Sequence, residues 1–270
     1  MSEVLNHVYD TIDRAHGDKP AATRRQVVAG AAAAFGTMGM LAWTDQADAQ
    51  IKSDSPNTPQ NILNVAATAE VLATIVNTVG LEAPGIQFRG VERMNIQGAA
   101  REELIHFDVL VSDAVGGSPV TRRIWVPDRI FSNRNEFFTA LAVGDQIFIN
   151  AYLLGTTVFA RAGGIANSRF ARFAAEFMGA EAVHRALALQ SLGGSGNDRA
   201  FMRFAGREQR PGLPTTGQPG FFNILTAVTQ LQSAGFGFGA EGERPGRFYE
   251  FDQVRQRTPD PGFVNTRTPS

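Results

Sequence analysis

The chain has no cysteine. Disulfides, thiolate nucleophiles, iron–sulfur clusters and zinc–thiolate sites are excluded together. Histidine is nearly as scarce, with four in 270 residues, so any imidazole chemistry falls to very few positions. Neither sign of charge dominates: 25 Lys and Arg stand against 26 Asp and Glu, a formal net charge of −1. With no basic run and no aromatic–basic interleaving, the electrostatic footprint of a nucleic-acid partner is missing.

The one long uncharged run near the N-terminus, Val27–Trp43, is rich in Ala and Gly and short for a membrane span. Thr23-Arg24-Arg25 precedes it, and Ala47-Asp48-Ala49, a small-x-small cleavage pattern, follows it. Paired arginines ahead of a mild apolar run resemble a twin-arginine signal, which exports proteins already folded. Residues 1–49 are therefore expected to be a signal peptide, with the mature chain starting near Gln50 in the periplasm or otherwise exported, and with the twin-arginine export machinery as a partner. An uncleaved membrane anchor is the alternative. His7 and His16 fall in this segment, which leaves His106 and His184 for the fold.

Helical periodicity organises the remainder. Thr58-Pro59 reads as a helix start, followed by apolar residues at helical spacing to Gly80. A second helix is expected from about Gln97 to Val115, before Gly116-Gly117, and a third from about Asn135 to Ala162, before Gly163-Gly164. A fourth runs from about Asn167 to Leu192, stopped by Gly193-Gly194. Four rods of this length predict an all-α four-helix bundle over residues 50–235. The connection from Gly116 to Asn135 is long enough for an extended crossover. Phe221–Ala234 reads as a short fifth helix, and residues 236–270, rich in Gly, Pro and aromatics, as an irregular C-terminal arm packed on the surface or on a partner subunit.

Each remaining histidine has a glutamate three residues earlier: Glu103-Leu-Ile-His106 and Glu181-Ala-Val-His184. At this spacing a carboxylate and an imidazole share one helix face. Glu70 and Asp145 each sit among apolar neighbours, where a carboxylate either lies on a narrow polar stripe or turns inward for a reason. The order is thus acid on one helix and Glu-x-x-His on the next, twice over. Four carboxylates and two imidazoles would neutralise two divalent cations in a bundle core, and hard oxygen with imidazole nitrogen suits iron or manganese.

At these residues the chain resembles the ferritin-like superfamily. More narrowly, Ile62-Leu-Asn-Val-Ala-Ala-Thr-Ala-Glu70, Glu102-Glu-Leu-Ile-His106, Gly116-Gly-Ser-Pro119 and Ala151-Tyr152 are similar to the ferritin-like domain family of bacteria and plants that includes desiccation-related proteins. The resemblance spans roughly residues 58–195 and implies Glu70, Glu103, His106, Glu181 and His184 as metal ligands. One position departs: seven residues before Tyr152 the family pattern has Glu, and this chain has Asp145, one methylene shorter, which can reach one metal but bridges poorly. The expected function is redox handling of dioxygen or peroxide at two iron or two manganese ions. The alternative is a non-catalytic stress or desiccation-related envelope protein that uses the bundle as a structural or interaction module, and either could assemble as a homo-oligomer. Glu102, Asp108, Glu136 and Glu176 are expected in solvent, salt-bridge or helix-terminal roles, and Tyr152 either beside the metal ligands or in the core.

Overall fold

The first helix starts where its residue types dictate. Thr58 accepts the Asn61 N–H at 3.2 Å, and Pro59, which has no N–H to leave unsatisfied, takes the first helical position. The computed structural model describes residues 56–197 and 223–264; the expected signal peptide and Gln50 lie outside them. Helix α1 (Pro59–Glu82) is buried along almost its whole length. It is long and apolar enough to cross a membrane by length and composition, but 94% of its most apolar window is inside the fold.

Three further long helices follow: α2 (Glu92–Leu110), α3 (Arg134–Ala162) and α4 (Gly164–Ser191). Helix α1 packs on α2 and α3 on α4; contacts of α1 with α3 and of α2 with α4 join the two pairs. The link between α3 and α4 is immediate because Gly163 and Gly164 take φ of 72° and 77°, open to glycine without strain. Short links make each pair an antiparallel hairpin, an arrangement compatible with a helical bundle. Helix α2 begins and ends earlier than expected. The Glu92 carboxylate accepts the Arg89 N–H at 2.7 Å and sets the start upstream. The end comes at Leu110, whose carbonyl accepts from Gly117 at 2.8 Å after an intervening turn.

The crossover from α2 to α3 contains strand β1 (Arg123–Pro127), with Ile124 and Val126 fully buried, followed by a 3-10 turn over Asp128–Phe131. Buried polar residues of α1 hold it: Asn64 Oδ1 accepts the Ser118 N–H and Thr68 Oγ1 accepts the Val120 N–H, each at 2.9 Å. These bonds satisfy backbone donors that burial would otherwise strand.

The C-terminal arm is more ordered than its composition suggests. After α5 (Leu225–Ser233) come β2 (Gly237–Phe238), β3 (Gly246–Glu250) and α6 (Phe251–Arg255). Both strands pair antiparallel with β1, which lies between them, so Ile124 faces Phe238 on one side and Tyr249 on the other. At Gly237 an added Cβ would run into the Ala240 carbonyl, so glycine is what lets the strand approach its turn. Helix α6 buries Phe251 and Val254, and the Phe251 ring centroid is 4.5 Å from that of Phe107 on α2. The arm therefore belongs to the same core as the long helices. The fifth helix starts at Leu225; Phe221, its expected start, lies outside the described residues.

Candidate metal centre

The two hairpins bring one acidic residue from each long helix into the interior. Glu70 comes from α1, Glu103 and His106 from α2, Asp145 from α3, and Glu181 and His184 from α4. Glu70, Glu103 and Glu181 have no exposed surface, and Asp145, His106 and His184 are buried. One ligand atom from each of Glu70, Glu103, His106 and Glu181 can be chosen so that all four lie within 4.8 Å of one another. His106 Nδ1 is 3.6 Å from both Glu70 Oε1 and Glu103 Oε2. His184 Nδ1 is 3.0 Å from Glu103 Oε1 and 3.7 Å from Glu181 Oε2. Both imidazoles thus turn Nδ1 toward the carboxylates, and Glu103 stands between them. Asp145 and His184 also share with Asn77 the wall of a small cavity next to the group.

The protein's own charges place this group under electrostatic stress. Burial, with the Glu103 charge adding to it, pushes the Glu70 carboxyl up to about 8. Burial and the Glu103 charge likewise raise Glu181 well above the ordinary range. Burial raises Asp145 as well, opposed by the charge of His184 and reinforced by that of Glu103. Burial would also raise Glu103, but His184 and His106 override it and hold Glu103 below its ordinary value. Burial alone would lower His106, yet the facing Glu70 and Glu103 carboxylates carry it up to about 10. Burial would lower His184 too, and Glu103 and Glu102 raise it instead.

Several residues around the group hold it in place, and of them only Tyr152 was expected from the sequence as a neighbour of the ligands. Glu102 reaches from α2 to hydrogen-bond His184 Nε2 at 2.6 Å, which fixes the ring with Nδ1 inward. Phe177 stacks on His106 with centroids 4.1 Å apart and does the same by packing. Tyr152 donates its hydroxyl hydrogen to Glu70 Oε1 and sets its ring edge-on to Phe177. Arg185 is buried next in sequence to His184, and its charge acts on Asp145. An acid adjacent to Glu-x-x-His was the only signal available for Glu102; Arg185 and Asn77 gave none. Asp108, Glu136 and Glu176 pair at the surface with Arg255, Arg129 and Arg172.

Whether a cation fits can be judged from the hydrogen bonds. Glu70 Oε2, both oxygens of Glu103, both of Glu181, Asp145 Oδ2 and the Nδ1 atoms of His106 and His184 are buried without a hydrogen-bond partner among the described residues. Buried polar atoms are normally paired, and orphans clustered at one point require an explanation. Oxygen and imidazole donors aimed at a common centre are what a hard or borderline divalent cation accepts. The donor set fits such an ion at Glu70, Glu103, His106 and Glu181. Comparison with known proteins adds nothing to this geometry: no protein-family model, curated protein or solved structure matches the chain.

Proposed function

We propose that this is a ferritin-like metalloprotein, exported by the twin-arginine route to the periplasm, in which Glu70, Glu103, His106, Asp145, Glu181 and His184 hold two iron or two manganese ions and the oxidant is dioxygen or peroxide. The observation that carries the reading is the set of orphaned carboxylate oxygens and imidazole nitrogens buried at one level of the four long helices. Four carboxylates left unneutralised in such an interior would repel one another, and two divalent cations would cancel their charge. When bound, the metal pair supplies two electrons, enough to reduce one hydrogen peroxide with two protons to two waters. The chain's own residues bind and orient. Glu102 and Phe177 hold the imidazoles, Tyr152 keeps a proton at the Glu70 carboxylate, and the apolar faces of the helices exclude bulk water.

Metal content by elemental mass spectrometry tests the reading. We expect two metals per chain, and nearly none in Glu103→Gln, whose helicity should be retained. Unchanged metal content in that variant would remove the proposal.

One observation favours a structural alternative. Asp145 lies outside the tight four-residue group and is acted on by buried Arg185, a cation already supplied by the protein. One metal per chain, with no Fe(II) oxidation or peroxide consumption, would make the site a structural clamp in a stress-related envelope protein.

A further inference from the structure

The hairpin of α3 and α4 stands beyond the rest of its end of the bundle. Gly155 marks the level: a Cβ there would lie 3.2 Å from Ile62 Cγ2 on α1 and 3.8 Å from Ala174 Cβ on α4. From that level α1 runs back three residues to its start at Pro59, while α3 runs on seven residues to Ala162, so the hairpin projects about one helical turn past α1. From Ala160 to Arg169 every residue is exposed except the half-buried Asn167, whose amide donates to the Gly163 carbonyl at 2.9 Å and ties the turn to α4. The tip is apolar. Ile165 is 78% exposed, the most exposed of the large hydrophobic residues described, and Ala160, Ala162 and Ala166 flank it in the chain.

The charges of the tip have one sign. No acidic residue occurs between Asp145 and Glu176, whereas Arg161, Arg169 and Arg172 all do. Arg172 is paired with Glu176 at 3.0 Å, but Arg161 and Arg169 are exposed and have no ion pair among the described residues. Arg169 and Arg172 follow Ile165 at i+4 and i+7 on one face of α4. Arg169 thus sits one turn, about 5 Å, behind the isoleucine. An apolar residue foremost with cations a turn behind matches the layering of a membrane interface, where apolar side chains enter about 5–10 Å and arginine stems keep their charge among the headgroups. A lone exposed isoleucine needs no explanation; one at the forward point of a projecting, acid-free hairpin does.

We propose that this tip docks on an anionic lipid surface, with Ile165 in the headgroup boundary and Arg161 and Arg169 on lipid phosphates. Guanidinium groups suit phosphate oxygens, and each cation near such a surface adds to the attraction. A second copy of the chain is the poorer occupant, because a tip of about ten residues falls short of the roughly 20–30 a side that a stable protein interface takes. The contact is independent of what the interior of the bundle holds.

Co-sedimentation of the purified protein with lipid vesicles tests the proposal. Binding is expected to phosphatidylcholine vesicles containing about one third phosphatidylglycerol, weakening as salt is raised, and not to phosphatidylcholine alone. Arg161→Gln and Arg169→Gln should each weaken it about fivefold, and Ile165→Ser about tenfold. Helicity should not change, because all three side chains lie in solvent. A local readout separates the tip from every other part of the chain: the fluorescence difference between Ile165→Trp and the wild type should move to shorter wavelength when anionic vesicles are added. No binding by the wild type, or binding with an unmoved Ile165→Trp signal, overturns the proposal. Wild-type affinity in all three variants does the same. Self-association without lipid that Ile165→Ser abolishes, in place of vesicle binding, would overturn it in favour of a second copy.

Discussion

His184 Nε2 lies 2.6 Å from the Glu102 Oε2 of the neighbouring helix, while its Nδ1 lies 3.0 Å from Glu103 Oε1. Two consecutive glutamates of α2 therefore face opposite edges of one imidazole on α4, Glu102 hydrogen-bonded to it from the partly exposed side and Glu103 beside it in the interior. Glu102→Gln keeps the shape and weakens this hold. Metal affinity is expected to fall about 10- to 100-fold, measured by competition with a chelator, while Glu181 and Glu103 remain in place. Equal affinity in variant and wild type would show that packing alone orients the ring.

The metal-free protein should lose stability as pH rises. Glu70, pushed from its ordinary 4.5 up to about 8, and His106, carried from 6.5 up to about 10, keep protons in the fold that the unfolded chain releases. Their contribution is fully present below the ordinary values and is lost as pH passes about 8 and then about 10. Glu103, held below its ordinary value, works the other way and gives up its contribution only in acid. Bound metal needs deprotonated ligands, so its stabilisation grows with pH. Thermal melts of chelated and metal-loaded protein from about pH 5 to about pH 10 should diverge steadily. Parallel curves would contradict the metal reading.

Tyr152→Phe keeps the packing on Phe177 and deletes the donor to Glu70. A cost of about 1–3 kcal/mol is expected for the metal-free protein, read from denaturant midpoints, with metal stoichiometry unchanged.

At one end of the long helices Arg134 forms a clasp. Its guanidinium bonds Glu92 at the start of α2 and the Ser191 carbonyl at the end of α4, one bond to Glu92 Oε2 being 2.8 Å long. Burial raises the Glu92 carboxyl, but the bonds from Arg134 outweigh it and hold the group below its ordinary value. That contribution is present above the ordinary carboxylate range and disappears as pH falls through the lowered value. Arg134→Met should cost about 1–2 kcal/mol at neutral pH and flatten the acid side of the stability profile. An unaltered acid limb would show that the clasp adds nothing.

Phe251→Ala removes a fully buried ring from beneath Phe107. The expected loss is about 3–5 kcal/mol, with the long helices and the sheet melting in one transition. Separate transitions by far-ultraviolet and tryptophan signals would show the arm to be an independent unit.

The long helices were legible because periodicity over twenty or more residues is a strong signal, and capped starts such as Thr58-Pro59 announce themselves. Glu70 and Asp145 stood out as acids among apolar neighbours, and the two Glu-x-x-His pairs held the histidines beyond the expected signal. The structure brings the first pair together with Glu70 and Glu181, sets His184 against Glu103 and Glu181, and places Asp145 with His184 in the wall of a small cavity. The strands were not legible: Gly237–Phe238 and Gly246–Glu250 are too short to display alternation, and their partner β1 lies more than a hundred residues upstream. Arg185 and Asn77 were hidden for a different reason. An arginine beside a histidine, or an asparagine in a helix, carries no mark of burial until its neighbours in space are known.

Strand β1 imposes an order of assembly on the chain. Every candidate ligand precedes residue 185, yet the crossover between the two hairpins receives its flanking strands only from residues 237–250, and α1 bonds through Thr78 to Thr258. During synthesis the helices can form as they emerge, but the frame that fixes them closes only after residues 237–258 have been made. A cation captured by the candidate ligands before those strands are in place would be held in an open, exchangeable form.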